Sequence, residues 1–515
     1  MASALKDQPI LILDFGSQYT LLIARRVREE HVFSVVERFD ISFETIKKIN
    51  PIGIILSGGP GNLSDRDAAR ISKDILESGI PILGICYGMQ LIGDIYGAKI
   101  SEATRKEYGY ASLKLDNSVD LFDGLADYED VWMSHSYKVE TIPSSFELIG
   151  QTDSALIAAF KSKDYPIYGL QFHPEVAHTV NGLKIVSNFV HKICGAGSNW
   201  TVGSFIDEQV ELIRSKVKDS KVILALSGGV DSSVAAKLID KAIGNKLTSI
   251  FVDNGLLRAG EADAVMRRYK EHFKLNVIKI DASDIFLSRL QGVTDPEAKR
   301  KIIGPTFVEI FSKEARKIEG ATFLAQGTLY PDVIESTSSK GPSAVIKTHH
   351  NLELGSDLDL ELLEPLRHLF KDEVRLLGEE LGINRELLWR HPFPGPGLAV
   401  RILGEVTESR LKTLRMADEI ILDQLKKEDY YDKLWQAFGV LLPVKSVGVM
   451  GDERTYENVL AIRAVESKDA MTANSADLPH SLLTLIANRI INEVSGINRV
   501  VYDITSKPPG TIEWE

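Results

Sequence analysis

Short apolar runs alternate with amphipathic segments twice along this chain, and that alternation restricts the fold more than any other feature. From residue 9, "PILILD", "PIGIILSGG" and "IPILGIC" read as buried strands, and "SQYTLLIARRVRE", "DAARISKDILESG" and "YGMQLIGDIYG" as helices. The pattern restarts after residue 200 with helix "VGSFIDEQVELIRSKV" and strand "KVILAL", then helix "SSVAAKLIDKAIG" and strand "LTSIFVDNG", then helix "EADAVMRRYKEHF" and strand "NVIKIDAS". Strands this apolar, joined through helices, form parallel sheets covered on both faces. At "HPFPGPGL", residues 391–398, three prolines and two glycines break any regular element. Beyond it, helices over 408–427 and 481–495 mix with strands "SVGVMG", "ENVLAIRAV" and "RVVYDIT". The expectation is an α/β chain with two doubly wound parallel-sheet domains, 9–199 and 200–390, followed by an α+β domain over 391–515.

Charge and cysteine usage narrow the function. A net charge of −12 argues against sequence-independent binding of nucleic acid, which depends on lysine and arginine displacing counterions. The two cysteines, Cys86 and Cys194, are too few for a disulfide framework and point to a reducing cytoplasm. No apolar run approaches the roughly 18 residues of a membrane span. His178, His191 and Cys194 have no chemical partners nearby in sequence and read as structural.

Two strand-to-helix junctions carry chemistry. "GICYG", residues 84–88, has the glycine spacing of a nucleophile elbow with cysteine in place of serine, and the helix that follows favours a thiolate. "QFHPE" places His173 and Glu175 on one side of an extended segment, as a base and the carboxylate that orients it. "LSGGPGN", residues 56–62, offers backbone amides which, with that of Tyr87, suit an oxyanion. The second junction, "SGGVDSS", is a glycine loop opening a helix, with no Walker lysine. A carboxylate, Asp231, inside an anion cradle implies a cation between it and a phosphate, hence Mg²⁺.

The first set of motifs resembles the class I glutamine amidotransferases over residues 9–195. The resemblance implies that Cys86 attacks the side-chain amide of glutamine, His173 shuttles the proton and Glu175 orients His173. It also implies an oxyanion hole at Gly59 and Tyr87, and glutamine contacts from Gln90 and from Ser134 and His135 in "SHS". The loop resembles that of the ATP pyrophosphatases, which implies that Ser227, Gly228, Gly229, Val230, Asp231, Ser232 and Ser233 hold ATP while pyrophosphate departs.

Across nearly the whole chain, "FVDNGLLR", "GTLYPDVIES", "IKTHHN", "EPLRHLFKDEVR", "HPFPGPGLAVRILGEV" and "SKPPGTIEWE" are similar to the glutamine-hydrolysing GMP synthetases. That family adenylates XMP with ATP and displaces AMP with ammonia. The resemblance implies XMP contacts from Arg258, Gln436, Arg499, Lys507, Ile512 and Glu513, and a homodimer through the last block. Lys347, His350 and Lys371 are candidate phosphate-tracking cations, and Asp332 is a candidate second metal ligand or positioning group. Neutral ammonia is protonated in bulk water, so a protected transfer route is also expected. Sulfur transfer to tRNA, a rival chemistry for such loops, usually needs reactive cysteines, and residues 195–515 contain none.

Overall fold

In this computed structural model, residues 8–153, 155–338, 358–450, 452–467 and 472–515 are described. The chain divides into two compact units: residues 1–208 with 331–344, and residues 209–330 with 345–515.

The first unit is built on a nine-stranded sheet. Its strands are β1 (Ile10–Asp14), β2 (Ser34–Arg38), β3 (Gly53–Leu56), β4 (Ile82–Ile85), β5 (Lys99–Leu115), β6 (Tyr128–Thr141), β7 (Phe146–Gln151), β8 (Ala159–Ser162) and β9 (Ile167–Leu170). Their order is β2-β1-β3-β4-β9-β8-β7-β5-β6. The five strands from β2 to β9 pair in parallel, as the apolar runs predict, and every residue of β3, β4 and β9 is buried. The other half is antiparallel, which the expectation of a wholly parallel sheet missed. Along β6, the buried residues Val131, Met133, His135 and Val139 share one face, and the residues between them are exposed or half-buried, the pattern of a sheet wet on one face.

A second difference lies in "DAARISKDILESG", of which only Lys73–Leu76 is helical. Arg70 turns outward to the Leu63 carbonyl at 3.0 Å and Asp94 at 2.5 Å, and the Ser72 side chain accepts from the Asp74 amide and starts a new helix. Side-chain bonds of this kind compete with helix continuation.

The second unit holds a parallel sheet in the order β12-β11-β10-β13-β14, from β10 (Lys221–Leu226), β11 (Leu247–Asp253), β12 (Val277–Asp281), β13 (Ala321–Ala325) and β14 (Glu361–Leu363). It also holds a long antiparallel ribbon, β15 (Gln436–Met450) and β16 (Glu453–Glu466), flanked by β17 (Asn474–Ser475) and by β18 (Ile497–Tyr502), which runs parallel to β16. One hydrophobic cluster runs from Ile223, Ile250 and Leu324 to Leu414, Leu460 and Ile486. "HPFPGPGL" therefore breaks secondary structure without breaking the packing. Gly397, at φ +63°, brings the backbone against Leu256, and the Leu398 amide donates to the Leu256 carbonyl at 2.8 Å. A Cβ on Gly397 would lie 2.4 Å from that carbonyl oxygen.

Behind "QFHPE" the chain is equally tight. The His173 amide donates to the Trp132 carbonyl at 3.1 Å, and the Thr179 hydroxyl donates to the His173 carbonyl at 2.7 Å. Gly182 closes this loop: a Cβ there would sit 1.9 Å from the Pro174 carbonyl oxygen. Gly182→Ala is expected to displace the His173–Glu175 segment and lower stability by about 1–3 kcal/mol, measured by chemical denaturation.

Candidate active site

Cys86 stands between β4 and helix α1 (Tyr87–Ile95) with φ +52° and ψ −104°, a strained backbone for a residue bearing a side chain. Its neighbours hold it there. A Cβ on Gly84 would lie 2.7 Å from the Gly88 backbone, and one on Gly88 would lie 2.4 Å from the Leu56 carbonyl oxygen. Strand, turn and helix can approach this closely only because both positions are glycine. The Cys86 amide donates to the Leu170 carbonyl at 2.7 Å.

The β4–β9 pairing brings "QFHPE" beside the thiol. His173 Nδ1 donates to Glu175 Oε1 at 2.7 Å, both side chains are buried, and the Cys86 side chain also acts on the His173 ring. Burial alone would push the His173 imidazolium down. The Glu175 carboxylate, with its hydrogen bond, and the Cys86 side chain outweigh it and hold His173 well above the usual histidine range. Arg26 Nε donates to the Glu175 carbonyl at 2.9 Å, and Tyr19 sets its ring edge-on to His173.

A cavity of about 450 Å³ opens over the sulfur, and Gly59, Tyr87, Gln90, Ser134 and His135 all line it with Cys86 and His173. Tyr87 is the first helical residue, so its amide belongs to the first turn, where amides lack intrahelical acceptors. The structure thus gathers every residue expected at the first site. Sequence reasoning missed Tyr19 and Gln171. Gln171 lies two positions before His173, and the period-two alternation already used for His173 and Glu175 would have found it.

In the second unit, the loop after β10 opens helix α2 (Val230–Ile243) at Gly229. Gly228 adopts φ +75°, and a Cβ there would meet Val265 at 2.9 Å. The serines stiffen the loop from within: Ser227 and Ser232 hydroxyls lie 3.0 Å apart, and Ser233 donates to the Gly229 carbonyl at 2.5 Å and contacts the buried Tyr269 hydroxyl. Asp231 sits in the first helical turn and receives Lys371 Nζ at 2.5 and 2.6 Å. Arg390, unforeseen, donates to the Gly228 carbonyl at 3.0 Å and pairs with Glu261 at 2.5 Å, and Glu261 accepts from the Arg258 amide at 3.1 Å. Asp332 lies in helix α3 (Tyr330–Ser338), in the segment that clusters with the first unit. Lys347 and His350 lie outside the described residues.

Of the remaining expected residues, Gln436 and Glu513 meet at 2.7 Å, and Glu513 also takes both arms of Arg401 at 2.8 and 3.0 Å. Arg258 pairs with Asp418 at 3.0 Å, and its guanidinium and that of Arg401 both lie against the Phe393 ring. Ile512 is buried with Phe438 and Val465. Arg499 lies apart on β18, donating to the Ser446 hydroxyl at 3.3 Å, and the Lys507 backbone bridges to Ala473. Burial pushes His391 down to about 4, so it is neutral at physiological pH. Because its Nδ1 accepts from the Ala437 amide, Nε2 carries the proton and donates to the Tyr431 carbonyl.

Three family models match the chain: glutamine amidotransferase class-I over residues 11–193, NAD synthase over 204–302, and GMP synthase C terminal domain over 423–514. Among similar curated proteins are GMP synthases [glutamine-hydrolyzing] from Nitratiruptor sp., 57% identical over 99% of this chain and 100% of its own length, and from Brachyspira hyodysenteriae, 56% identical over 98% and 99%. A third, from Aquifex aeolicus, is 55% identical over 99% of this chain and 100% of its own length.

Because the Glu175 carboxylate is the main influence opposing burial at His173, Glu175→Gln should move the loss of the imidazolium proton to lower pH. Above that point the charged partner of the thiolate is gone. Iodoacetamide alkylation of Cys86 near neutrality should slow by about tenfold or more, and an NMR titration of His173 should show the same downward displacement.

Proposed function

The chain belongs to the glutamine-hydrolysing GMP synthase family, and from that premise we propose how its residues divide the reaction. It is a ligase that aminates XMP to GMP, hydrolysing glutamine to glutamate and ammonia and converting ATP to AMP and pyrophosphate. We assign residues 9–199 to ammonia production, 200–390 to ATP chemistry and 391–515 to XMP binding and dimerisation.

At the first site, Cys86 Sγ attacks the side-chain carbonyl carbon of glutamine. His173 takes the thiol proton and returns it to the departing ammonia, and water then cleaves the thioester to release glutamate. Glu175 keeps the imidazole oriented and stabilises its charged form. The Gly59 and Tyr87 amides face the developing oxyanion, and Gln90, Ser134 and His135 hold the substrate.

At the second site, the C2 oxygen of the xanthine ring attacks the α phosphorus and pyrophosphate leaves into the Ser227–Ser233 loop. Ammonia then displaces AMP. The loop amides and the α2 N-terminus suit an anion. Mg²⁺ entering with ATP would be held by Asp231 and the phosphate oxygens, where it neutralises phosphate charge. One protein carboxylate with phosphates is an ordinary Mg²⁺ set, and no group of three or more His, Cys, Asp or Glu ligands occurs among the described residues. Lys371, already on Asp231, is assigned to follow the phosphate charge, and Lys347 and His350 are assigned to the same task. Asp332 is assigned a positioning role. Arg258, Gln436, Arg499, Lys507, Ile512 and Glu513 are assigned to XMP.

The partners proposed are glutamine, ATP, XMP and a second copy of the chain, with no nucleic acid or membrane, in the cytoplasm. The exposed Val449 and Tyr456 on the β15–β16 ribbon support a homodimer through that block, and no helix among the described residues is long and apolar enough to cross a membrane. The observation that carries the proposal is the buried Cys86–His173–Glu175 set at a strained elbow, in a chain whose relatives match from end to end. Cys86→Ala should abolish glutamine-driven GMP formation while ammonium salts still support it. Asp231→Asn should abolish both. Chromatography of the nucleotides checks each result, and ADP in place of AMP would sink the mechanism.

A further inference from the structure

The sulfur of Cys86 has a neighbour that the three-residue set does not include. Gln171 is fully buried, and its Nε2 donates toward Cys86 Sγ at 3.7 Å. The pairing of Ile85 with Leu170 explains the contact: Cys86 and Gln171 are the next residues on neighbouring parallel strands, so they leave the sheet side by side.

The orientation of the Gln171 amide follows from its surroundings. The Tyr137 carbonyl can only accept, so the Gln90 side chain must turn its nitrogen toward it, at 2.8 Å. The second N–H on that nitrogen points to Gln171 Oε1 at 3.3 Å. The oxygen of Gln171 is thereby occupied, and its nitrogen faces the sulfur. The environment also contains an opposing group, because the Ser134 carbonyl lies 3.8 Å from Sγ. A thiol can donate to that oxygen. A thiolate cannot, and meets only its negative end.

We propose that Gln171 is a positioning residue for glutamine hydrolysis: its amide holds the Cys86 thiolate against the Ser134 carbonyl and ties it through Gln90 to the glutamine-binding wall. His173 supplies the proton transfer, and Gln171 supplies a fixed donor that never leaves with the proton. The inference rests on Cys86 being the nucleophile.

Two variants separate this role from simple packing. Gln171→Met keeps length and volume but removes the donor, and Gln171→Glu keeps the shape but sets an acceptor beside the sulfur. The first measurement is the pH profile of Cys86 alkylation by iodoacetamide, which needs no substrate. The second is GMP synthesis driven by glutamine and, separately, by ammonium chloride.

Gln171→Met should lower the glutamine-driven kcat by about tenfold to a hundredfold, the usual weight of a hydrogen bond to a charged group, with little change in the KM for glutamine. Its alkylation profile should move to higher pH, and that of Gln171→Glu should move further. Ammonium-driven synthesis should match the parent. A Gln171→Met protein with the parent's profile and kcat would overturn the proposal, and so would equal loss of glutamine- and ammonium-driven synthesis in both variants, which would make Gln171 a fold residue. If the parent itself made no GMP from ammonium, the ligase reading would fail, and the alkylation profiles would still decide the role of Gln171.

Discussion

The hydrogen bond from the Cys86 amide to the Leu170 carbonyl, 2.7 Å long, is one rung beyond the last paired residues of β4 and β9. It fixes the register in which two sequence-distant segments leave the sheet. One carries the nucleophile into a helix. The other carries Gln171, His173 and Glu175 along the rim, where the Trp132 carbonyl and the Thr179 hydroxyl hold the His173 backbone from both sides. Slipping this pairing by one residue would turn the alternate side chains to the opposite face, so the geometry of the site is a property of sheet register before it is one of side-chain contacts.

The second unit solves a different electrostatic problem. A glycine loop before a helix attracts anions, yet Asp231 adds negative charge in the first turn. Lys371 answers that charge at 2.5 Å, and Arg390 braces the loop through the Gly228 carbonyl. The same Arg390 reaches Glu261, which accepts from the Arg258 amide, so a residue assigned to XMP and a loop assigned to ATP share one ion pair. A shift at either end therefore has a short covalent and hydrogen-bonded path to the other.

Much of this was legible from residue pattern. β10 spans the residues of "KVILAL", and the helix read over 408–427 is Glu408–Lys427, because apolar periodicity and a Thr407 cap act locally. The thiol, imidazole and carboxylate were legible because their residue types and spacing are chemically demanding. The antiparallel half of the first sheet was not, since strands such as β5 carry little apolar signal and are defined by partners far along the chain. Arg390 and Arg401 were not legible as site residues for a related reason. Each acts through a contact of long sequence separation, and nothing in their immediate neighbourhoods distinguishes them from other polar residues.

Arg401 shows what such contacts do. Lys299, Arg401 and Arg463 are fully buried, and a buried charge without a partner costs several kcal/mol. Glu515 meets Lys299 at 2.5 Å, Glu513 takes Arg401 with both oxygens, and Arg463 donates to the Thr505 and Thr511 carbonyls and pairs with Asp503. Burial pushes the Lys299 ammonium down while Glu515 opposes it. Residues 503–515 are thus the counterions and acceptors of cations rooted in the rest of the unit. Glu513, whose side chain also receives Gln436, cannot drift without exposing Arg401 to an unpaired burial. The orientation of two residues assigned to XMP is consequently set by the folding energy of the unit, before any substrate arrives, which is how a site avoids ordering its own side chains at the expense of binding.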